Sequence, residues 1–191
     1  MPQIRQRTDY ARARETTLRD HMAKAARLTG LIANLALWVS GICLVAMTGA
    51  IAAQVFWRYV LNSSLIWTEP GSVMIMGWFI FLGAAVGIRE GYHLSFDVLL
   101  YVLPDSAKPW LHSLSDLAVS IFGFGMVRYG SELAINAAKT TVPSLGISGA
   151  FDFVALTLGG VLVVLFSLER ILRRLAGLPT ARFGEPEPVE E

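Results

Sequence analysis

Charge is scarce in this chain, and cysteine and histidine are scarcer. Only 16% of the 191 residues are Asp, Glu, Lys or Arg, while 54% are hydrophobic. A soluble domain carries charge on roughly a quarter of its residues, so this balance points to a membrane protein. From Leu28 to Trp57 there are 30 consecutive residues without a charge. The single cysteine, Cys43, excludes an intrachain disulfide framework and a cysteine metal cluster. The three histidines, His21, His93 and His112, all fall outside the middle of the apolar runs. A b-type haem needs axial ligands buried between helices, so no haem or other cofactor is expected. No Walker loop, zinc motif or serine nucleophile elbow occurs, which excludes the common routes to catalysis by sequence motif. The net charge of +1 gives no global field to recruit nucleic acid. No internal repeat is visible. The apolar runs also lack the midplane charges and broken helices of a free-standing carrier.

What is there is apolar sequence in four runs. Residues 1–30 form a basic arm with Arg5, Arg7, Arg12, Arg14, Arg19, Lys24 and Arg27 against Asp9, Glu15 and Asp20. The part of this arm from residue 16 has helix-forming composition suited to the membrane surface. A membrane domain over 31–172 follows, with crossings expected at about 31–56, 69–88, 109–130 and 150–172. The first run is too long for the apolar region of a cleaved signal, although Ala50-Ile-Ala52 looks like a cleavage site; an uncleaved signal-anchor helix is expected. At 1.5 Å per residue it spans roughly 39 Å, longer than a bilayer core, so it tilts or protrudes. Residues 173–191, rich in Pro and Glu, read as a disordered tail. The predicted fold class is all-α integral membrane with four transmembrane helices.

The stretch Arg58 to Pro104 gathers most of the polar residues that border a membrane segment. Pro70 to Ile88 is 19 residues long without a charge, about the length that crosses a hydrocarbon core. Arg58, Asn62, Trp67 and Glu69 precede it. Arg89, Glu90, His93 and Asp97 follow it. Thr68 is expected to cap this helix, Pro70 falls in its first turn where a missing N–H costs little, and Glu69 sits at the positive end of its dipole. Gly83, Gly87 and Gly91 repeat every four residues and would let another helix come close. Trp78 lies mid-segment, where its N–H needs a packed helix interface in this chain or with another subunit. Residues 89–105 are too polar to cross and are expected to form a short interfacial amphipathic helix ended by Pro104.

Arg89, His93 and Asp97, four residues apart, share one helical face. His93 with Asp97 offers two ligands, too few for a metal site, so a salt-linked face or a partner contact is the better reading. Arg128 and Glu132 are spaced to pair. Counting Lys and Arg with the N-terminus inside puts 13 on the inner side and three on the outer, which predicts both termini in the cytoplasm (N-in, C-in).

Arg58-Tyr59, Asn62, Trp67, Glu69, Trp78, Phe81-Leu82-Gly83-Ala84-Ala85, Arg89, Gly91, His93, Asp97 and Leu103-Pro104 together resemble the small permease subunit of tripartite ATP-independent periplasmic (TRAP) transporters, the DctQ-like family. At motif level this covers about a quarter of the chain, and four helices with both termini inside agree over the rest. The sequence departs from the family at Pro70, where a second acidic residue is common, and no Arg follows between Glu69 and Arg89, where the family often has one. No role that needs a paired carboxylate is therefore carried over.

The resemblance implies a non-enzymatic accessory or scaffold subunit in the bacterial inner membrane. It would pair with a large permease subunit that imports organic acids on an ion gradient, supplied by a periplasmic binding protein. Contact residues expected on this reading are Arg58, Trp67 and Glu69 outside, Trp78, Gly83 and Gly87 within, and Arg89, His93 and Asp97 inside. The competing readings are a membrane anchor of a redox complex and a small stand-alone carrier.

Overall fold

The computed structural model describes the backbone of residues 2–91 and 108–175, and the side chains of 26–91 and 113–174. Four helices account for it: α1 (Pro2–Val60), α2 (Thr68–Glu90), α3 (Lys108–Ala137) and α4 (Ala150–Leu175). Three are long and apolar enough to cross a membrane: Ala26–Val60 within α1, Thr68–Glu90, and Ala150–Arg174 within α4. The expected interfacial helix between the second and third segments, with His93 and Asp97, lies outside the described residues, as does the tail beyond residue 175.

α1 does not break between the basic arm and the apolar run. Its only candidate breaker there is Gly30, which stays helical and faces the Arg89 guanidinium at 3.5 Å from where a Cβ would sit. The arm and the first crossing are therefore one helix of 59 residues. α1 ends in a turn in which Asn62 takes a left-handed φ of 51° and Ser63 N donates to Trp57 O at 3.2 Å. Asn tolerates that conformation better than most residues.

The expected Thr68 cap is corrected. Trp67 occupies the capping position without a side-chain hydrogen bond. Thr68 is already in the first turn and fully buried, and its Oγ1 donates backward to Leu65 O at 2.6 Å. The tight turn over residues 65–68 brings that carbonyl within reach and diverts the hydroxyl from the helix N–H groups. Pro70 does lie in the first turn. α2 stops at Gly91, whose φ of 85° and N–H bonds to Gly87 O and Ile88 O form a left-handed cap.

α3 continues about two turns past the expected end, carried through Arg128–Glu132, a pair at 2.8 Å as its spacing predicts. Residues 138–149 then make a small hydrogen-bonded loop. Val142 N donates to Ile147 O, Gly149 N to Thr140 O, and Gly146 takes a left-handed φ of 67°. Ser148 Oγ accepts from Ala150 N at 3.3 Å and so caps α4.

α4 is the central element, packing along α3 on one side and α2 on the other, while α1 packs along α2. The pairs Asp116–Arg170, Gly123–Val163 and Gly130–Thr157 run in opposite chain order, so α3 and α4 are antiparallel over about 21 Å of helix. Trp78–Phe151, Phe81–Gly159 and Arg89–Arg170 run in the same order, so α2 and α4 are parallel. The buried apolar residues are few and mostly small: Ala33, Ala85, Val163 and Phe166 form one cluster, Ala36, Leu82 and Val86 another. In lipid the hydrophobic effect does not drive helices together, and close packing through small residues does.

Candidate functional site

Two features could carry function: a charged layer at one end of the bundle, and the exposed helix faces. The charged layer comes from three helices. Its centre is Asp116 of α3, fully buried. Arg170 Nε donates to Asp116 Oδ1 at 3.2 Å, and Arg174 Nη2 donates to Asp116 Oδ2 at 2.8 Å. Arg174 Nη1 reaches Ser113 Oγ at 3.1 Å. Arg170 Nη1 donates to Arg89 O at 3.0 Å, at the end of α2. One guanidinium thus binds a carboxylate on α3 and the orphan carbonyl of α2, where the helix dipole is negative.

Gly91 makes this contact possible. A Cβ there would lie 2.8 Å from Arg170 Nη1, and the positive φ already excludes most side chains. Arg170 and Arg174 are four apart on α4, so both project to the same side, where Asp116 answers them.

A second group adjoins the first. Arg89 Nη1 bonds Glu90 Oε1 at 3.3 Å, and its Nε is 3.5 Å from Glu169 Oε2. Arg173 Nη2 is 2.9 Å from Glu169 Oε1. The Glu169 contacts are within ion-pair range, but neither carboxylate oxygen receives a well-aligned hydrogen bond. Arg89 also sits 6.0 Å from the Phe166 ring centroid, a cation–π distance. Removing one partner from a buried network leaves a bare charge and costs far more than the pair contributes. Among the described residues no group of His, Cys, Asp and Glu comes together that could hold a metal ion.

The residues singled out from the sequence fall in three places. Arg58, Trp67 and Glu69 are exposed at the end opposite the charged layer. Arg58 lies 5.8 Å from the ring of Tyr59. Trp78 packs within the chain, against the Ala36, Leu82 and Val86 cluster, with its ring centroid 6.1 Å from Phe151. Gly83 also faces inward, since a Cβ would come 3.0 Å from Ser40 Oγ of α1. Gly87 faces open space. Arg89 joins the charged layer, but with Glu90 and Glu169 as partners.

Asp116, Glu169, Arg170 and Arg174 were not among the sequence candidates. A signal existed: Asp116 is the one carboxylate within the third apolar run, and a buried carboxylate there calls for a cation. The second close-packed site was also only half visible. The Gly159–Gly160 pair of α4 admits both neighbours. A Cβ on Gly159 would lie 3.2 Å from Phe81 O of α2, and one on Gly160 would lie 3.0 Å from Gly123 O of α3. The sequence marks Ala155 and Gly159 as a second small pair in the last apolar run and gives no like signal for Gly160, Gly123 or Gly130.

The family described as "Tripartite ATP-independent periplasmic transporters, DctQ component" matches residues 47–177, more than half of the chain. The chain belongs to that family. The matched region contains α2, α3, α4 and the last part of α1, and with them the whole charged layer. The chain is 28% identical over 128 residues to the sialic acid TRAP transporter permease protein SiaT of Haemophilus influenzae, covering 66% of this chain and 21% of that protein. It is 34% identical over 59 residues to the C4-dicarboxylate TRAP transporter small permease protein DctQ of Vibrio cholerae, covering 31% and 25%. It is 25% identical over 126 residues to the sialic acid TRAP transporter small permease protein SiaQ of Vibrio cholerae, covering 66% and 73%. The match therefore spans about a fifth of SiaT and a quarter of that DctQ protein. Family membership and the apolar helices together make this a multi-pass inner-membrane protein of a transport system.

Proposed function

We propose that this DctQ-family chain is the small accessory subunit of a TRAP transporter, without enzymatic activity. It braces a large, ion-coupled permease subunit that moves organic acids brought by a periplasmic binding protein. The observation that carries the reading is the family match across α2, α3 and α4. Two relatives add to it. SiaT and the Sinorhizobium fredii protein y4mM contain the matched region as only 21% and 31% of their length. A module that is part of a longer chain in some proteins and separate in others is expected to work beside the rest of that longer chain.

The structure supports a bracing role through what its polar groups do. The buried charges are spent on one another and on a helix end, holding helices together, and among the described residues such groups form no path along the bundle. On this reading the charged end is cytoplasmic, α3 also crosses, bringing the crossings to four, and both termini lie inside. The antiparallel run of α3 along α4 fits that arrangement, and so does the excess of Lys and Arg on the inner side. Arg58, Trp67, Glu69, Gly87, Arg89, His93 and Asp97 are assigned to the outer and inner partner contacts, with Trp78 and Gly83 shaping the helix pair that presents them.

Proteoliposome uptake tests this directly. Organic acid uptake is expected only when this chain, a large permease subunit and a binding protein are all present under an ion gradient. Uptake by this chain alone would make it a carrier and sink the accessory reading. Single cysteines placed in the 138–149 loop should react with impermeant thiol reagents in intact spheroplasts, and those near residue 5 should not.

A further inference from the structure

The charged layer buries its acids together with Arg170, at 7%, and leaves its other arginines nearer the surface. Side-chain exposure is 0% for Asp116, 11% for Glu169 and 12% for Glu90, against 17%, 20% and 19% for Arg89, Arg173 and Arg174. The arginines are not equally engaged. Arg170 and Arg174 are taken up by Asp116, Arg89 O and Ser113. A guanidinium has five N–H donors, and Arg173 uses its own only toward Glu169 among the described residues. Arg27 is exposed one turn beyond Gly30 on α1, and Gly30 adjoins Arg89, the partner of Glu169. On α4, Leu165, Leu168 and Leu172 are exposed at 38%, 50% and 50% along one strip, and Arg173 follows next to Leu172, roughly a quarter turn round the helix. An apolar wall that ends at a guanidinium with spare donors fits an acyl chain below a phosphate.

We propose that this end of the bundle binds an anionic phospholipid, its phosphate held by Arg173 and Arg27 and one acyl chain lying along Leu165, Leu168 and Leu172. Bidentate guanidinium recognition of phosphate supplies the specificity, and the basic ring supplies the attraction. The inference requires only that this end lie at a membrane surface. It does not depend on the identity of the transport partner.

The test uses the full chain, delipidated in mild detergent and re-exposed to phosphatidylglycerol, to phosphatidylcholine or to inorganic phosphate, with bound lipid counted by native mass spectrometry. Phosphatidylglycerol should be retained about tenfold more than phosphatidylcholine, and the R27Q/R173Q variant should lose most of that preference. Arg58→Gln, at the opposite end, should keep it. Arg27 has no ion pair or hydrogen bond with another described residue, so Arg27→Gln alone reads the site if the double variant does not fold. Equal retention of the two lipids overturns the proposal, as does full retention of phosphatidylglycerol by the variants. Competition by inorganic phosphate that abolishes phosphatidylglycerol retention would assign the arginines to a free anion and overturn it too.

Discussion

α1 and the group formed by α2, α3 and α4 are held by different means. The three-helix group is tied at its charged end by Asp116, Arg170, Arg174 and the α2 carboxyl terminus. Along its length it is drawn together at Gly123, Gly130, Gly159 and Gly160, where neighbouring side chains or backbone fill the space a Cβ would need. Among the described residues α1 has no charged tie to the group and a single close glycine approach, Gly83 of α2 against Ser40 Oγ. It rests on α2 through Ala33, Ala36 and Ser40, and its interhelical hydrogen bond is Ser40 Oγ to Phe79 O at 3.0 Å. Its outward face, with Leu31, Leu35, Trp38, Ile42 and Val45, is open. Polar ties in a bilayer hold geometry that apolar packing alone leaves adjustable, so the two regions should respond very differently to perturbation.

The sharpest way to break the contrast is at Asp116. Asp116→Ala leaves two guanidiniums facing each other in a buried layer and removes the ion pairs between α3 and α4. The expected loss is about 3–5 kcal/mol, read as a large drop in thermal midpoint in detergent. Removing charge from both sides should hurt less than removing it from one. In Asp116→Leu/Arg170→Met the buried carboxylate is gone together with one of its two cations, so part of the loss should return. A double variant as unstable as the single would show that the packing around Asp116, and not its charge, does the holding.

Next in size are the glycines of the central helix. Gly160→Leu must displace Gly123 O and Val127 N, which are backbone and cannot swing aside, since a Cβ alone would already lie 3.0 Å from each. Overpacking of this kind costs about 1–3 kcal/mol. The α3–α4 pair should loosen while the α1–α2 pair stays, a difference that cross-linking between engineered cysteines on each pair would resolve. Equal loosening of both pairs would erase the distinction between the regions.

The same contrast explains what the sequence could be made to say. Helices defined by long uncharged runs were legible: α2 and α4 run over Thr68–Glu90 and Ala150–Leu175, where those runs lie. Arg128–Glu132 was legible because helix spacing is local. The charged layer was not, because Asp116 and Arg170 are 54 residues apart and only tertiary packing brings them together. Counting Arg170 and Arg174 toward topology hid their second role. Gly83 showed the same limit in reverse. Its place in a glycine stripe says that something approaches closely, but not whether that helix belongs to this chain. The Thr68 hydroxyl failed as a cap for a local reason: Thr68 is already in the first turn, and its hydroxyl donates back to Leu65 O instead of accepting from the helix N–H groups.

Gly83 and Gly87 allow a test that separates internal packing from partner contact. Gly83→Leu pushes against Ser40 and should destabilise the α1–α2 pair by about 1–2 kcal/mol. Gly87→Leu enters open space and should leave the thermal midpoint unchanged. If α2 presents Gly87 to the large subunit, Gly87→Leu should nonetheless weaken co-purification of that subunit. Retention of the subunit by a stable Gly87→Leu protein would remove Gly87 from the contact, whereas loss after Gly83→Leu alone would be uninformative about it.

The smallest expected effect lies at Ser40. Its hydroxyl bonds a carbonyl that already accepts within α2, so Ser40→Ala orphans nothing and removes about 0.6 kcal/mol, the typical worth of a hydrogen bond between membrane helices. Ser40→Ala should therefore shift the midpoint only slightly, while Ser40→Leu, forced against Gly83, should part α1 from α2. Cys43, one turn on from Ser40, reports this without further substitution. It is half-buried in the native chain, and its reaction with a membrane-permeant maleimide should accelerate in Ser40→Leu and stay near the native rate in Ser40→Ala. Acceleration in Ser40→Ala equal to that in Ser40→Leu would mean that one hydrogen bond holds α1 in place, and α1 would then belong with the tied region.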